Sequence, residues 1–145
     1  MAIVQNSYAD APPIGFPGMI ANGEVANRIS RTVEDAAGVA FGTAVFRGLG
    51  DHGCTATPAA GAFLGFVATD AAGSADTLPH YATAAVLTKG ALFVTAGEAV
   101  TDGAAVHVTA GGAIVDTATD NVAAPGWLFD ATAASGAIVR IVNRG

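Results

Sequence analysis

The sequence predicts an all-β fold, a small β-barrel or β-sandwich of short antiparallel strands with an extended N-terminal arm and little helix. Three observations carry this expectation. Nineteen glycines and six prolines are spread through the 145 residues, and in a helix interior these types cost about 1 and about 3 kcal/mol relative to alanine. No segment holds an apolar i, i+3, i+4, i+7 stripe over three turns, and the best helical stretches, Val33 to Ala37 and Ala131 to Ser135, are one turn each. From Arg28 onward the chain consists of short runs with period-2 alternation, divided by turn residues at the spacing of barrels and sandwiches.

Composition narrows the class of protein further. A chain of this length forms one domain by default and buries roughly 68–70% of its unfolded surface, so it needs no metal or disulfide staple. It is 52% hydrophobic and only 12% charged, against a usual charged fraction of about a quarter. The formal charge of −6 repels a phosphate backbone unless the basic groups cluster, so no direct nucleic-acid partner is expected. No membrane partner is expected either. The longest charge-free stretch, His52 to Thr69, is broken by Pro58 and by several Gly and Thr residues, whereas a spanning helix needs about 20 mainly apolar residues. Met1 to Asp10 carries no basic region followed by an apolar run, so the chain is expected to be made and kept in the cytosol. The single Cys54 cannot form an internal disulfide, which fits a reducing compartment.

Residues 1–27 read as the arm. Pro12, Pro13 and Pro17 alternate with Gly15, Gly18 and Gly23, and proline lacks the N–H that a regular sheet needs. Ile3, Val4, Tyr8, Ile14, Phe16, Met19 and Ile20 are too apolar for a solvated tail, so the arm is expected to lie against something. Residues 28–145 then form one compact β domain. Its first strand alternates Ile29, Arg31 and Val33 against Arg28, Ser30 and Thr32. A turn at Glu34 to Gly38 leads to a strand over Val39 to Phe46, with small residues on one face. Gly48, Gly50 and Gly53 make a loop, and Ala62 to Ala68 forms an apolar strand buried on both faces.

Asp70 to His80 reads as turns. Ala84 to Thr88 and Ala91 to Thr95, joined by Lys89-Gly90, read as a hairpin. Turns near Gly97 and Asp102-Gly103 bracket Glu98 to Thr101. Ala104 to Thr109 follows, with His107 facing away from Val106 and Val108. Ala113 to Val115, Gly126 to Phe129 and Ala137 to Val142 complete the strands.

The reactive residue types do not assemble into a catalytic pattern. Asp51, His52 and Cys54 form the tightest cluster. Residues one or two apart in a Gly-rich loop rarely aim at a common point, and a zinc site needs about four ligands. His80 and His107 are scattered, and Glu34 with Asp35 and Asp116 with Asp120 fall in turns, where carboxylates cap and bend the chain. Gly48 to Gly53 lacks the lysine and following helix of a phosphate loop. No cofactor or metal is therefore expected. Arg28, Arg31, Arg47, Arg140 and Arg144 suit either carboxylate pairing at an interface or a solvated face, and Trp127, Leu128 and Phe129 read as core.

With catalysis unsupported, the distinctive feature is an apolar, Pro/Gly-punctuated arm on a β domain. The arm runs Pro13-Ile14-Gly15-Phe16-Pro17-Gly18-Met19-Ile20-Ala21. It is followed in order by Phe41-Gly42-Thr43-Ala44-Val45-Phe46-Arg47-Gly48 and Val86-Leu87-Thr88-Lys89-Gly90-Ala91-Leu92-Phe93-Val94. After these come Gly97 to Val108 and Ala131 to Ile141. Nearly end to end, this order resembles the phage head cement (decoration) proteins; Gly48 to Ala60 and Asp70 to Tyr81 depart from it.

The resemblance implies a non-enzymatic protein on the outer surface of the expanded icosahedral head, bridging neighbouring major capsid proteins and stabilising the shell against genome pressure. It implies assembly in the host cytoplasm and residence in the virion. Its expected partners are the major capsid protein and further copies of itself, as a homo-trimer or homo-dimer. Ile3, Val4, Tyr8, Pro13, Ile14, Phe16, Pro17 and Met19 are the expected contacts to shell or neighbouring subunit. Two rival readings are another virion part, for head completion or the tail, and a small β-fold enzyme or ligand-binding barrel using the Asp51, His52 and Cys54 loop.

Overall fold

The computed structural model describes residues 15–69 and 76–145. Eleven strands follow in chain order: β1 (Asn27–Val33), β2 (Val39–Ala40), β3 (Ala44–Arg47), β4 (Gly53–Thr55), β5 (Phe63–Val67) and β6 (Thr77–Leu78). The rest are β7 (Thr83–Thr95), β8 (Ala105–Val108), β9 (Ile114–Val115), β10 (Val122–Phe129) and β11 (Ile138–Asn143). The fold is all-β, with no helix among the described residues. Val33 ends β1, and the Glu34–Gly38 stretch that could have made a helical turn is instead closed by Gly38, with φ of 80°. Ala131 to Ser135 makes no helical turn either: Ala133 bridges to Val100, and Ser135 lies in a turn closed by the Ala137 N–H on the Ala134 carbonyl.

Five strands close into a ring. β1 pairs with β4, β4 with β3, β3 with β5, β5 with β7, and β7 back with β1. The β1–β4 pair is parallel, which departs from the antiparallel expectation; β4 lies in the stretch read as loop because three residues beginning with Gly53 carry almost no strand signal. A second antiparallel sheet runs β7-β11-β10-β8-β9, and a bridge from Ile114 to Ala96, one residue past β7, brings its far edge back to its beginning.

Alternation along the shared strands builds two cores. Val45, Val67, Ala84 and Val86 face the ring interior with Val33, Val39, Cys54 and Leu78. Their neighbours Ala44, Phe46, Phe66 and Leu87 point the other way, into a larger core with Leu92, Val94, Trp127, Phe129, Val139 and Ile141. The β3-β5-β7 wall is thus covered on both faces, as expected for the Ala62 to Ala68 run. Phe46, Phe63, Phe66 and Trp127 form an edge-to-face chain at centroid distances of 5.7, 5.4 and 4.9 Å, each such pair adding about 0.5–1.5 kcal/mol beyond its burial. Trp127 and Phe129 are core, while alternation turns Leu128 outward.

The hairpin expected at Lys89-Gly90 does not form: β7 runs straight through as a strand of 13 residues. Its first half lies between β1 and β5, since Leu87 pairs with both Arg28 and Phe66. Its second half lies between β11 and the N-terminal segment, since Leu92 pairs with both Ile141 and Ile20. Backbone partners on both edges leave no reason to turn back. The glycine serves a bulge instead. Arg28 pairs with Leu87 but Asn27 with Lys89, so Thr88 is one residue extra, and Gly90 takes φ of 122°.

One inserted residue reverses which side chains face which side, so odd-numbered Leu87 and even-numbered Leu92 and Val94 reach the same core. The bulge's polar groups are satisfied locally. Asn27 Nδ2 donates to Thr88 Oγ1 at 2.7 Å and Asn143 Nδ2 to the Thr88 carbonyl at 3.1 Å.

Two further expectations change. The strand expected over Val39 to Phe46 is cut by a turn at Phe41-Gly42, with Gly42 at φ of 80° and its N–H donated to the Val67 carbonyl. The strand expected at Gly126 begins at Val122, because Val122 and Ala123 pair with Val108 and His107. Between Ala123 and Leu128 the register shifts, so Pro125 sits where no ladder bond is lost.

Removing Trp127 tests the larger core. Trp127→Ala should lower unfolding free energy by about 3–5 kcal/mol, whereas the neighbouring Leu128→Ala should stay within about 0.5 kcal/mol as a surface change. Urea denaturation of both variants measures the contrast, and equal losses would contradict the assigned alternation.

Candidate functional site

The part of the arm that the structure describes is docked on the protein's own β7. Gly18 N–H donates to the Phe93 carbonyl at 2.8 Å, Phe93 N–H to Met19 at 2.9 Å and Ala21 N–H to Ala91 at 2.9 Å. Thr69 N–H donates to the Gly18 carbonyl from the end of β5. Gly15 lies flat on the Phe93 ring, where a Cβ would clash. Gly18, at φ of 85°, and Gly42 approach back to back; a Cβ on either would come within 2.9 Å of the other's backbone nitrogen. The Pro-Gly of the arm and the Phe-Gly of the next segment therefore touch. That contact was not legible in either motif alone.

Of the expected arm contacts, Pro17 and Met19 are half-buried on this docked stretch and Phe16 stays 54% exposed. Ile3, Val4, Tyr8, Pro13 and Ile14 lie outside the described residues. Downstream of the docked stretch, Glu24 pairs with Arg144 at 2.5 Å, and Arg144 and Arg140 both reach Asp130. The Arg144 guanidinium holds the Glu24 carboxyl below the usual carboxylate range. Arg28, Arg31 and Arg47 make no ion pair among the described residues.

The loop holding Asp51, His52 and Cys54 is organised around a different residue, Glu34. Its carboxylate accepts the N–H groups of Leu49 at 2.8 Å and Gly50 at 3.0 Å. Gly48 and Gly53 leave the space it occupies, since a Cβ on Gly53 would coincide with Glu34 Oε2. The glycine spacing was visible in the sequence; that it accommodates a carboxylate 14 residues or more upstream was not. Asp35 does the same for the next turn, accepting from the Thr55 hydroxyl at 2.6 Å and the Ala56 N–H at 2.8 Å. Both carboxylates thus cap turns, as their positions suggested.

This arrangement separates the three reactive residues. Cys54 is fully buried in the ring core, and burial, then Asp35 and Glu34, push its thiol pKa up, opposite to what a nucleophile requires. Asp51 and His52 are exposed. His52 lines an open groove of 470 Å³ with Thr32, His80 and Tyr81. There His80 stacks on Tyr81 at 3.6 Å, and Tyr81 adopts φ of 67°. His107 is set apart on β8. No group of three potential metal ligands occurs among the described residues.

Glu34 and Gly53 should be energetically coupled. Gly53→Ala should be strongly destabilising alone and cost less in a Glu34→Ala background, with an interaction energy of roughly 0.5–3 kcal/mol. A double-mutant cycle by thermal or urea unfolding reads this, and additive effects would contradict the loop assignment.

Comparisons with known proteins bear on the chain as a whole. A family model described as structural cement protein (E217 gp24/Pam3 gp6) matches residues 4–143. Among solved structures, the chain is similar to one in "The capsid of Myoviridae Phage XM1", with a TM-score of 0.76, 14% identity and 97% of each chain covered. At that identity the likeness speaks for the fold. A chain in "The crystal structure of head fiber gp8.5 N base in bacteriophage phi29" is similar at a TM-score of 0.49 and 13% identity, over 82% of this chain and 94% of that one, too distant to support an argument. No curated protein matches the chain. Because the family model spans the described arm, the closed ring and the second sheet together, the chain belongs to the phage structural cement proteins and is a structural decoration component of the phage capsid.

Proposed function

We propose that the protein binds the outer surface of the expanded icosahedral head and bridges neighbouring major capsid proteins, stabilising the shell against the packaged genome. The observation that carries this reading is the family match over residues 4–143, which takes in nearly all of the N-terminal segment as well as the β body. The β body provides one attachment surface and the segment a second. Ile3, Val4, Tyr8, Pro13 and Ile14 enter apolar grooves or pair along a strand of the neighbouring subunit. Two linked contacts bind more tightly than either alone, because the second forms at the high effective concentration set by the first.

A protein that binds the assembled shell but not its separate subunits stabilises it by RT ln(1 + [L]/Kd), about 2.7 kcal/mol per site at a hundredfold excess over Kd. Repetition over a shell makes the total large. The role needs no cofactor and no catalytic group. Copies of the protein meet as a homo-trimer or homo-dimer on a local symmetry axis of the shell, assembling in the host cytoplasm and remaining on the virion exterior. Neither nucleic acid nor membrane is a partner.

Pelleting with expanded, undecorated heads tests the reading. The full chain should co-sediment saturably at a simple ratio to the major capsid protein, and removal of residues 1–14 should weaken binding at least tenfold. Cys54→Ala and His52→Ala should bind as the wild type does. Absence of binding to heads of its own phage would overturn the proposal.

A further inference from the structure

Of the five asparagines in the chain, only Asn22 is followed by glycine. The pair forms a bend between the stretch docked on β7 and the start of β1, and both residues are exposed to water. Outside the adjoining residues, no atom comes within 4 Å of where a Cβ on Gly23 would stand. The Gly23 N–H makes no backbone hydrogen bond among the described residues. Asn27, Asn121 and Asn143 precede Arg28, Val122 and Arg144 instead, whose side chains crowd the nitrogen that follows the asparagine.

The Asn22 side chain is folded back over this open nitrogen. Glu24 N–H donates to Asn22 Oδ1 at 3.0 Å, which closes an Asx turn around the Gly23 peptide unit. Asn22 Nδ2 donates to Glu24 Oε2 at 3.0 Å, so the amide is held at both ends. If the Gly23 nitrogen attacks Asn22 Cγ, the developing negative charge falls on Oδ1, the atom that already accepts the Glu24 N–H. Enforced proximity and a donor aimed at a developing oxyanion both favour acyl transfer.

We propose that Asn22 is a site of spontaneous deamidation in the folded protein, converting to aspartate and isoaspartate. The Gly23 nitrogen gives up its proton and bonds to Asn22 Cγ, the Cγ–Nδ2 bond breaks, and ammonia leaves a cyclic imide. Water then opens the ring. Cleavage of the new bond from nitrogen to Cγ yields aspartate, and cleavage of the original peptide bond yields isoaspartate. Either product removes the Nδ2 donor from Glu24 and sets a second carboxylate beside it, where Glu24 and Asp130 share Arg144. Isoaspartate also lengthens the backbone by one carbon directly after Ala21, whose N–H donates to the Ala91 carbonyl. The docked stretch is thereby loosened at its downstream end.

Ageing the intact protein at mildly alkaline pH tests this, with peptide mass spectrometry to find converted asparagine and enzymatic methylation to count isoaspartate. Conversion should run at least about tenfold faster at Asn22 than at Asn27, Asn121 or Asn143, and Gly23→Ala should slow it by about tenfold. Gly23 has neither a positive φ nor a neighbour to clash with, so this variant keeps the fold. Asn22 should convert in the native chain at least as fast as in the chain unfolded by urea. In the converted fraction, amide exchange at Ala21 should quicken while exchange at Leu87 stays the same. An Asn22 that persists while the other three convert, or that converts faster in urea than in the native chain, would overturn the proposed site. Unchanged exchange at Ala21 would overturn the loosening.

Discussion

Everything in this structure depends on the double pairing of β7. Its first half is held between β1 and β5 and its second between β11 and the N-terminal segment, so four otherwise separate pieces share one backbone ladder. The bulge at Thr88 to Gly90 makes this compatible with burial. Without the extra residue, the face that closes the ring core in the first half would point at the wrong core in the second. Asn27 and Asn143 supply the hydrogen bonds that the interrupted ladder leaves unmade.

The consequence for function is mechanical. A closed ring leaves no open edge among its five strands, and the β3-β5-β7 wall carries a packed core on each face, so the body deforms little. The Leu49 loop shows how a loop is stiffened without joining a sheet. The Glu34 carboxylate satisfies its amides, and Gly48 and Gly53 give the carboxylate room. The exposed Leu49 at its tip is thereby held in place. A stiff body of this kind suits a structural component of a capsid.

The sequence made much of this legible, and the failures have physical causes. A continuous apolar run marked the wall at Phe63 to Val67 as buried on both faces, and Trp127 and Phe129 are core as expected, whereas Leu128, read as core with them, is turned outward by the alternation of β10. Lys89-Gly90 misled because a glycine at positive φ serves a hairpin turn or a bulge equally well, and only the partners on both edges of β7 decide between them. Gly53 to Thr55 was hidden because its pairing with β1 is nonlocal and too short to leave a pattern. In the Asp51, His52 and Cys54 cluster, proximity in sequence was visible but burial was not. Cys54 faces the core while its neighbours face water. The Gly18–Gly42 contact was likewise out of reach, since two glycines 24 residues apart carry no mark of touching.

Strengthening of the shell by the bound protein is directly measurable. Genome-filled heads stripped of the protein can be heated while DNA release is followed by a dye, with the purified protein added back in steps. The release temperature should rise with added protein and level off at the ratio where binding saturates. Heads that are fully decorated yet release DNA at the temperature of bare heads would contradict it.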